Sequence, residues 1–135
     1  MDKAVPPVTT WLIRHGQSAA NAGLPSVGQD DTPLTELGLE QAHAAARRVD
    51  RQPDLLVVSP FTRARATGEV IQARWPVTEC ETWRCDPYYV DGPDAESFSA
   101  FVGRLRDFHA RLLWLDRRYV VAVGHGQFFE PIRWV

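Results

Sequence analysis

The chain has 135 residues, of which 44% are hydrophobic and 24% charged, with a formal net charge of −2. That size suits one domain over residues 1–135, able to bury about 68% of the surface its unfolded form exposes. So small a net charge excludes a general nucleic-acid binder, and any anion site must come from a local cluster of cations.

Met1 to Pro7 holds no continuous apolar core of the kind a signal peptide needs. No run approaches the ~18 apolar residues of a membrane span. A cytoplasmic protein that binds no membrane is the expectation. Thr9 to Arg14 then reads as a short buried strand. A loop rich in Gly, Pro, Asp and Ser follows, to Pro33. Thr35 is a good N-cap with Glu36 behind it, where the helix dipole favours an anion. That helix runs to about Val49, with Leu39, Ala42, Ala45, Ala46 and Val49 on one face, and Pro53 bars its continuation.

Leu55 to Val58 is a continuous aliphatic run, as in a strand covered on both faces. Ser59-Pro60 ends it, and a helix is predicted from about Thr62 to Ala73. Val77 to Trp83 alternates weakly and suggests a third strand nearer an edge. Cys80 and Cys85 are the only cysteines. With no second ligand pair they read as reduced thiols, not as a metal site. Glu96 to about Leu115 is the clearest helix, with Phe98, Phe101, Val102, Leu105, Phe108, Leu112 and Leu115 at steps of three or four, and Trp114 near its end reads as core or lid packing. Tyr119 to Val123 is a further buried strand, ending at Gly124.

Aliphatic strands linked by helices predict a three-layer α/β/α sandwich with a mostly parallel central sheet. Ligands of such sheets bind beyond the carboxyl ends of the strands. Three polar clusters stand there: Arg14-His15-Gly16, Ser59-Pro60-Phe61-Thr62-Arg63-Ala64 and Gly124-His125-Gly126. Together they supply two guanidiniums and two imidazoles. A phosphomonoester carries nearly two negative charges at neutral pH, and a guanidinium fork matches its oxygens. Neutral imidazole is a competent nucleophile. The glycine after His15 lets the backbone approach a ligand closely.

These clusters, with Gln17-Ser18, Asn21, Thr67 and the run Asp31-Thr32-Pro33-Leu34-Thr35-Glu36-Leu37-Gly38, resemble the histidine phosphatase superfamily, the phosphoglycerate-mutase-like enzymes. The likeness extends in order from residue 11 to 128. It implies that His15 attacks phosphorus and becomes a phosphohistidine, that Arg14, Arg63 and His125 hold the transferring oxygens, and that water completes hydrolysis. Gly16, Ser18, Asn21 and Gly126 match positions lining the same pocket. No metal or organic cofactor is implied. The expected partner is a small phosphorylated substrate or a phosphoprotein.

The chain departs from that family in two places. The acid that protonates the leaving oxygen usually lies after the third strand. One register places Cys85 there, a shift of one offers Asp86, and Glu81 is a further alternative within the strand. Asp86 is the favoured candidate. Secondly, the chain stops at Val135, where the family usually continues with a helix and more sheet. A shortened domain with uncovered apolar surface, prone to self-association, is therefore expected. The leading function is phosphomonoester hydrolysis. The alternatives are a non-catalytic phosphate-binding or interaction module of the same fold, and a phosphoglycerate-type mutase.

Overall fold

A computed structural model describes residues 9–25, 31–83, 97–114 and 116–129. Asp86 lies outside these residues, as do Cys85 and the residues from 130 onward. The described residues form β1 (Thr9–Arg14), α1 (Glu36–Arg48), β2 (Leu55–Val58), α2 (Thr62–Arg74), β3 (Cys80–Thr82), α3 (Phe98–Trp114), β4 (Tyr119–Gly124) and α4 (Gly126–Phe129). The four strands make one sheet in the order β1-β4-β2-β3, and every pairing is parallel.

Alternation along the strands sorts the two covered faces. Leu56, Val121 and Val123 point to one side and pack with Ala46 of α1, Val49 just after it, and Ala64 and Ile71 of α2. Leu55, Val57, Val120 and Ala122 point to the other, against Leu105 and Phe108 of α3 and Phe129 of α4. Fully burying each such aliphatic side chain contributes about 1.5–3 kcal/mol. β4 is buried along its whole length, as its unbroken aliphatic run predicts. The α/β/α layering read from the sequence is the one observed.

Three expectations need correction. β1 is not a buried strand: it stands at the edge of the described sheet, and its four central residues are only half-buried. The apolar stripes are also narrower than their periodicity suggests. Phe98 at the start of α3 is 77% exposed and Leu39 of α1 is exposed as well. Trp114, expected to pack in the core or a lid, is 87% exposed. Apolar type and spacing mark a face, but only the neighbouring element decides how much of it is covered. No helix among the described residues is long and apolar enough to cross a membrane.

The order of the strands positions the site. β1 and β2 both lead into helices on the α1/α2 face, whereas β4 leads into α4 on the α3 face. The connections therefore part on either side of β4, and a crevice opens at its carboxyl end.

Candidate active site

Strand register brings the distant clusters together. Arg14 pairs with Gly124 at the last rung of β1 and β4, and the His15 amide continues the ladder to the Gly124 carbonyl at 2.9 Å. On the other side Val58 pairs with Val123, and the Ser59 amide donates to the Val123 carbonyl at 2.9 Å. His15 and His125 thus follow paired residues on neighbouring strands. Their rings lie edge to face with centroids 5.0 Å apart.

Arg63, one residue into α2, reaches both. Its Nε donates to His15 Nε2 at 3.2 Å, and its Nη2 lies 3.4 Å from His125 Nδ1. Its guanidinium also lies over the Phe61 ring at 4.8 Å from the centroid. The Phe61 ring in turn meets His125 edge to face at 5.2 Å. Arginine can only donate, so both facing imidazole nitrogens carry lone pairs. His15 must then hold its proton on Nδ1, which donates to the Gly16 carbonyl at 2.6 Å. His125 must hold its proton on Nε2, which faces the buried Ser59 hydroxyl at 2.9 Å. The guanidinium therefore sets both tautomers, the Gly16 carbonyl reinforces that of His15 and the Ser59 hydroxyl adapts to that of His125, and both open lone pairs point at the guanidinium.

Burial pushes the His15 imidazole down to about 4. The Gly16 hydrogen bond opposes that shift, while the charges of Arg63 and then Arg14 add to it. His125 falls to about 3, first through burial, then through Arg63, His15 and Arg14. Both rings are neutral at pH 7, and the local charge is that of the two guanidiniums.

The loop after β1 is fitted by contacts that the sequence alone does not reveal. Gly16 packs backbone against backbone on Gly38 at the start of α1. A Cβ on Gly16 would overlap the Gly38 carbonyl oxygen, and one on Gly38 would overlap the Gln17 carbonyl oxygen. Thr67, fully buried in α2, bridges two of the clusters. Its hydroxyl accepts from the Gly16 amide at 3.2 Å and donates to the Arg63 carbonyl at 2.9 Å. The Thr35 hydroxyl caps α1 by accepting from the Gly38 amide at 3.0 Å.

An open cleft of about 410 Å³ lies before this cluster, lined by Arg14, His15, Gly16, Gln17, Asn21 and Gln41. The exposed Arg14 guanidinium has no partner among the described residues. Ser18 is buried and absent from that lining. Its hydroxyl and amide both donate to Asn21 Oδ1, at 2.9 and 3.1 Å, so it holds Asn21 in place. A Cβ on Gly126 would press on Arg14 Cδ at 3.2 Å, so the glycine leaves room for that side chain. Glu81, an alternative proton donor, is in β3 and ion-paired with Arg111. That pairing lowers its pKa and keeps it ionised, which unsuits it as an acid. Gln41 is the lining residue that sequence reasoning did not single out, and it carries no chemical signal of its own.

A family model described as the histidine phosphatase superfamily (branch 1) matches residues 10–85, more than half of the chain. A Yersinia pestis protein named "Probable phosphoglycerate mutase GpmB" is 40% identical over 62 residues, which cover 45% of this chain and 29% of that protein. The match thus spans less than a third of that relative's length. Among solved structures, the alpha-ribazole phosphatase from Shigella flexneri superposes with a TM-score of 0.77 at 23% identity, over 92% of this chain and 77% of the other. A mycobacterial glucosyl-3-phosphoglycerate phosphatase, solved with VO3, superposes with a TM-score of 0.68 at 24% identity, over 90% of this chain and 77% of the other. At such identities the likeness is one of fold.

Proposed function

The chain belongs to the histidine phosphatase superfamily, and on that premise we propose that it hydrolyses a phosphomonoester through a phosphohistidine on His15. The observation that carries this reading is the Arg63 guanidinium bridging His15 Nε2 and His125 Nδ1 at 3.2 and 3.4 Å. One phosphoryl group in that space meets a nucleophilic lone pair and oxyanion donors at once.

In the proposed reaction the phosphoryl oxygens take over the Arg63 N–H groups, freeing the His15 Nε2 lone pair for in-line attack. The N–P bond forms as the ester P–O bond breaks. Positive charge grows on the His15 ring, and the Gly16 carbonyl at Nδ1 stabilises it. Arg14, Arg63 and His125 hold the non-bridging oxygens, and the dianion restores the His125 proton affinity that burial and the guanidiniums suppress. Asp86 is proposed to give the departing oxygen its proton. Water then attacks phosphorus and gives a proton back to Asp86, the N–P bond breaks with its electron pair returning to His15 Nε2, and inorganic phosphate leaves.

The fold's likeness to a phosphatase solved with VO3 supports the phosphoryl reading. The relative named as a phosphoglycerate mutase favours a second one, transfer of the phosphoryl group to another alcohol. The test is release of inorganic phosphate from an aryl phosphate by the wild type and by His15→Ala. Turnover in the wild type alone supports the proposal, whereas isomerisation of a phosphoglycerate without release of free phosphate supports the mutase. Equal turnover in His15→Ala, or vanadate binding with no turnover in the wild type, refutes it.

A further inference from the structure

Three carboxamides, Gln17, Asn21 and Gln41, line the cleft beside Arg14 and His15. In each the oxygen is already engaged by the protein. Gln41 Oε1 accepts from the Gln17 amide at 2.8 Å. Asn21 Oδ1 accepts from the Ser18 amide and hydroxyl. Gln17 Oε1 accepts from the Thr35 hydroxyl at 2.8 Å. A backbone N–H can only donate, so its partner on Gln41 and on Asn21 must be the oxygen. The polar atom left over on each side chain is the NH₂ nitrogen, which has no partner among the described residues. Like Arg14, each of these side chains keeps unpaired N–H donors at the cleft.

Gln41 differs from the other two in its support, because it projects from the regular helix α1 and not from the loop. Resting on the phosphatase reading, we infer that Gln41 is a specificity-determining residue, whose locked carboxamide presents its NH₂ to an acceptor oxygen in the alcohol part of the phosphomonoester. The favoured substrate class has an oxygen with a free lone pair close beyond the ester bond, as in sugar and hydroxy-acid phosphates. A purely alkyl group seated in the same place would strip water from the NH₂ and return no bond.

Two phosphomonoesters with uncharged alcohol parts of equal length isolate this contact from the guanidinium charges: 2-methoxyethyl phosphate, which adds one acceptor, and butyl phosphate, which adds none. The wild type is expected to favour the ether ester in kcat/KM by about fivefold, the factor equivalent to the ~1 kcal/mol net worth of a neutral hydrogen bond. Gln41→Glu keeps an oxygen for the Gln17 amide but replaces the donor by an acceptor, so the preference should invert. Should that variant not fold, Gln41→Met, of similar length without a donor, is expected to bring the ratio to about one. A wild-type ratio near one, or a ratio unchanged by the substitution that folds, overturns the assignment of Gln41. The phosphatase reading then survives, because aryl and butyl phosphates are still hydrolysed. Failure of the wild type on all three esters overturns both.

Discussion

Acid should unfold this protein by way of its two active-site imidazoles. His15 falls from the ordinary 6.5 to about 4, and His125 from 6.5 to about 3. Between those limits the unfolded chain binds protons that the folded protein refuses, so stability rises with pH. The contribution is fully present above about 6.5 and is lost as pH falls toward the folded values. Going from pH 7 to pH 5 should cost about 2 kcal/mol for each ring, the integral of that proton difference. The sum for both is at most about 4 kcal/mol, of the same order as the whole stability of a small domain. Urea unfolding at the two pH values, on the wild type and on His15→Asn and His125→Asn, isolates the effect from surface carboxylates. Each substitution should shrink the stability difference between pH 7 and pH 5 by about 2 kcal/mol, with unchanged urea slopes. The same pH difference in all three proteins would mean that the rings accept protons freely in the folded state, and the buried, guanidinium-faced site would be wrong.

Other perturbations test separate links. Thr67→Val removes the bridge between the Gly16 amide and the Arg63 carbonyl. It should destabilise by about 1–3 kcal/mol in chemical denaturation and lower kcat, whereas Thr67→Ser should recover most of both. Gly38→Ala drives a methyl into the Gln17 carbonyl and should cost about 1–3 kcal/mol. Gly103→Ala, whose new methyl meets nothing within 4 Å in α3, should instead stabilise by about 0.5–1 kcal/mol in the same assay. Asp86→Asn should slow alkyl phosphates far more than activated aryl phosphates, and equal slowing would remove Asp86 from the role of proton donor.

The sequence revealed whatever one segment decides by itself. Tyr119–Gly124 reads as a buried strand because no polar residue interrupts it, and Phe101, Leu105, Phe108 and Leu112 mark the inner face of α3 through spacing alone. The convergence of Arg14, His15, Arg63 and His125 was legible as well, because each stands just past a strand and a parallel sheet gathers those ends at one rim. Contacts that exist only after the layers dock were not legible. Thr67 is an ordinary helix residue until Gly16 arrives beside it, and Gly38 is an ordinary glycine until Gln17 leaves it no room. Gln41 reads as a solvated position on α1, and only the fold turns it toward the cleft. The place of β1 at the edge of the described sheet escaped notice for a related reason. Its run Trp11-Leu12-Ile13 is as apolar as a central strand's, and strand order depends on partners far along the chain.

The account stands on His15 Nε2 as the atom that takes the phosphoryl group. The most direct measurement is rapid-quench trapping of the wild type with a labelled phosphomonoester, followed by mapping of the acid-labile, alkali-stable phosphate by peptide mass spectrometry. The account predicts one labelled residue, His15, phosphorylated on Nε2, with the label lost in His15→Ala. Turnover that proceeds with label on another side chain, or undiminished without His15, would contradict it.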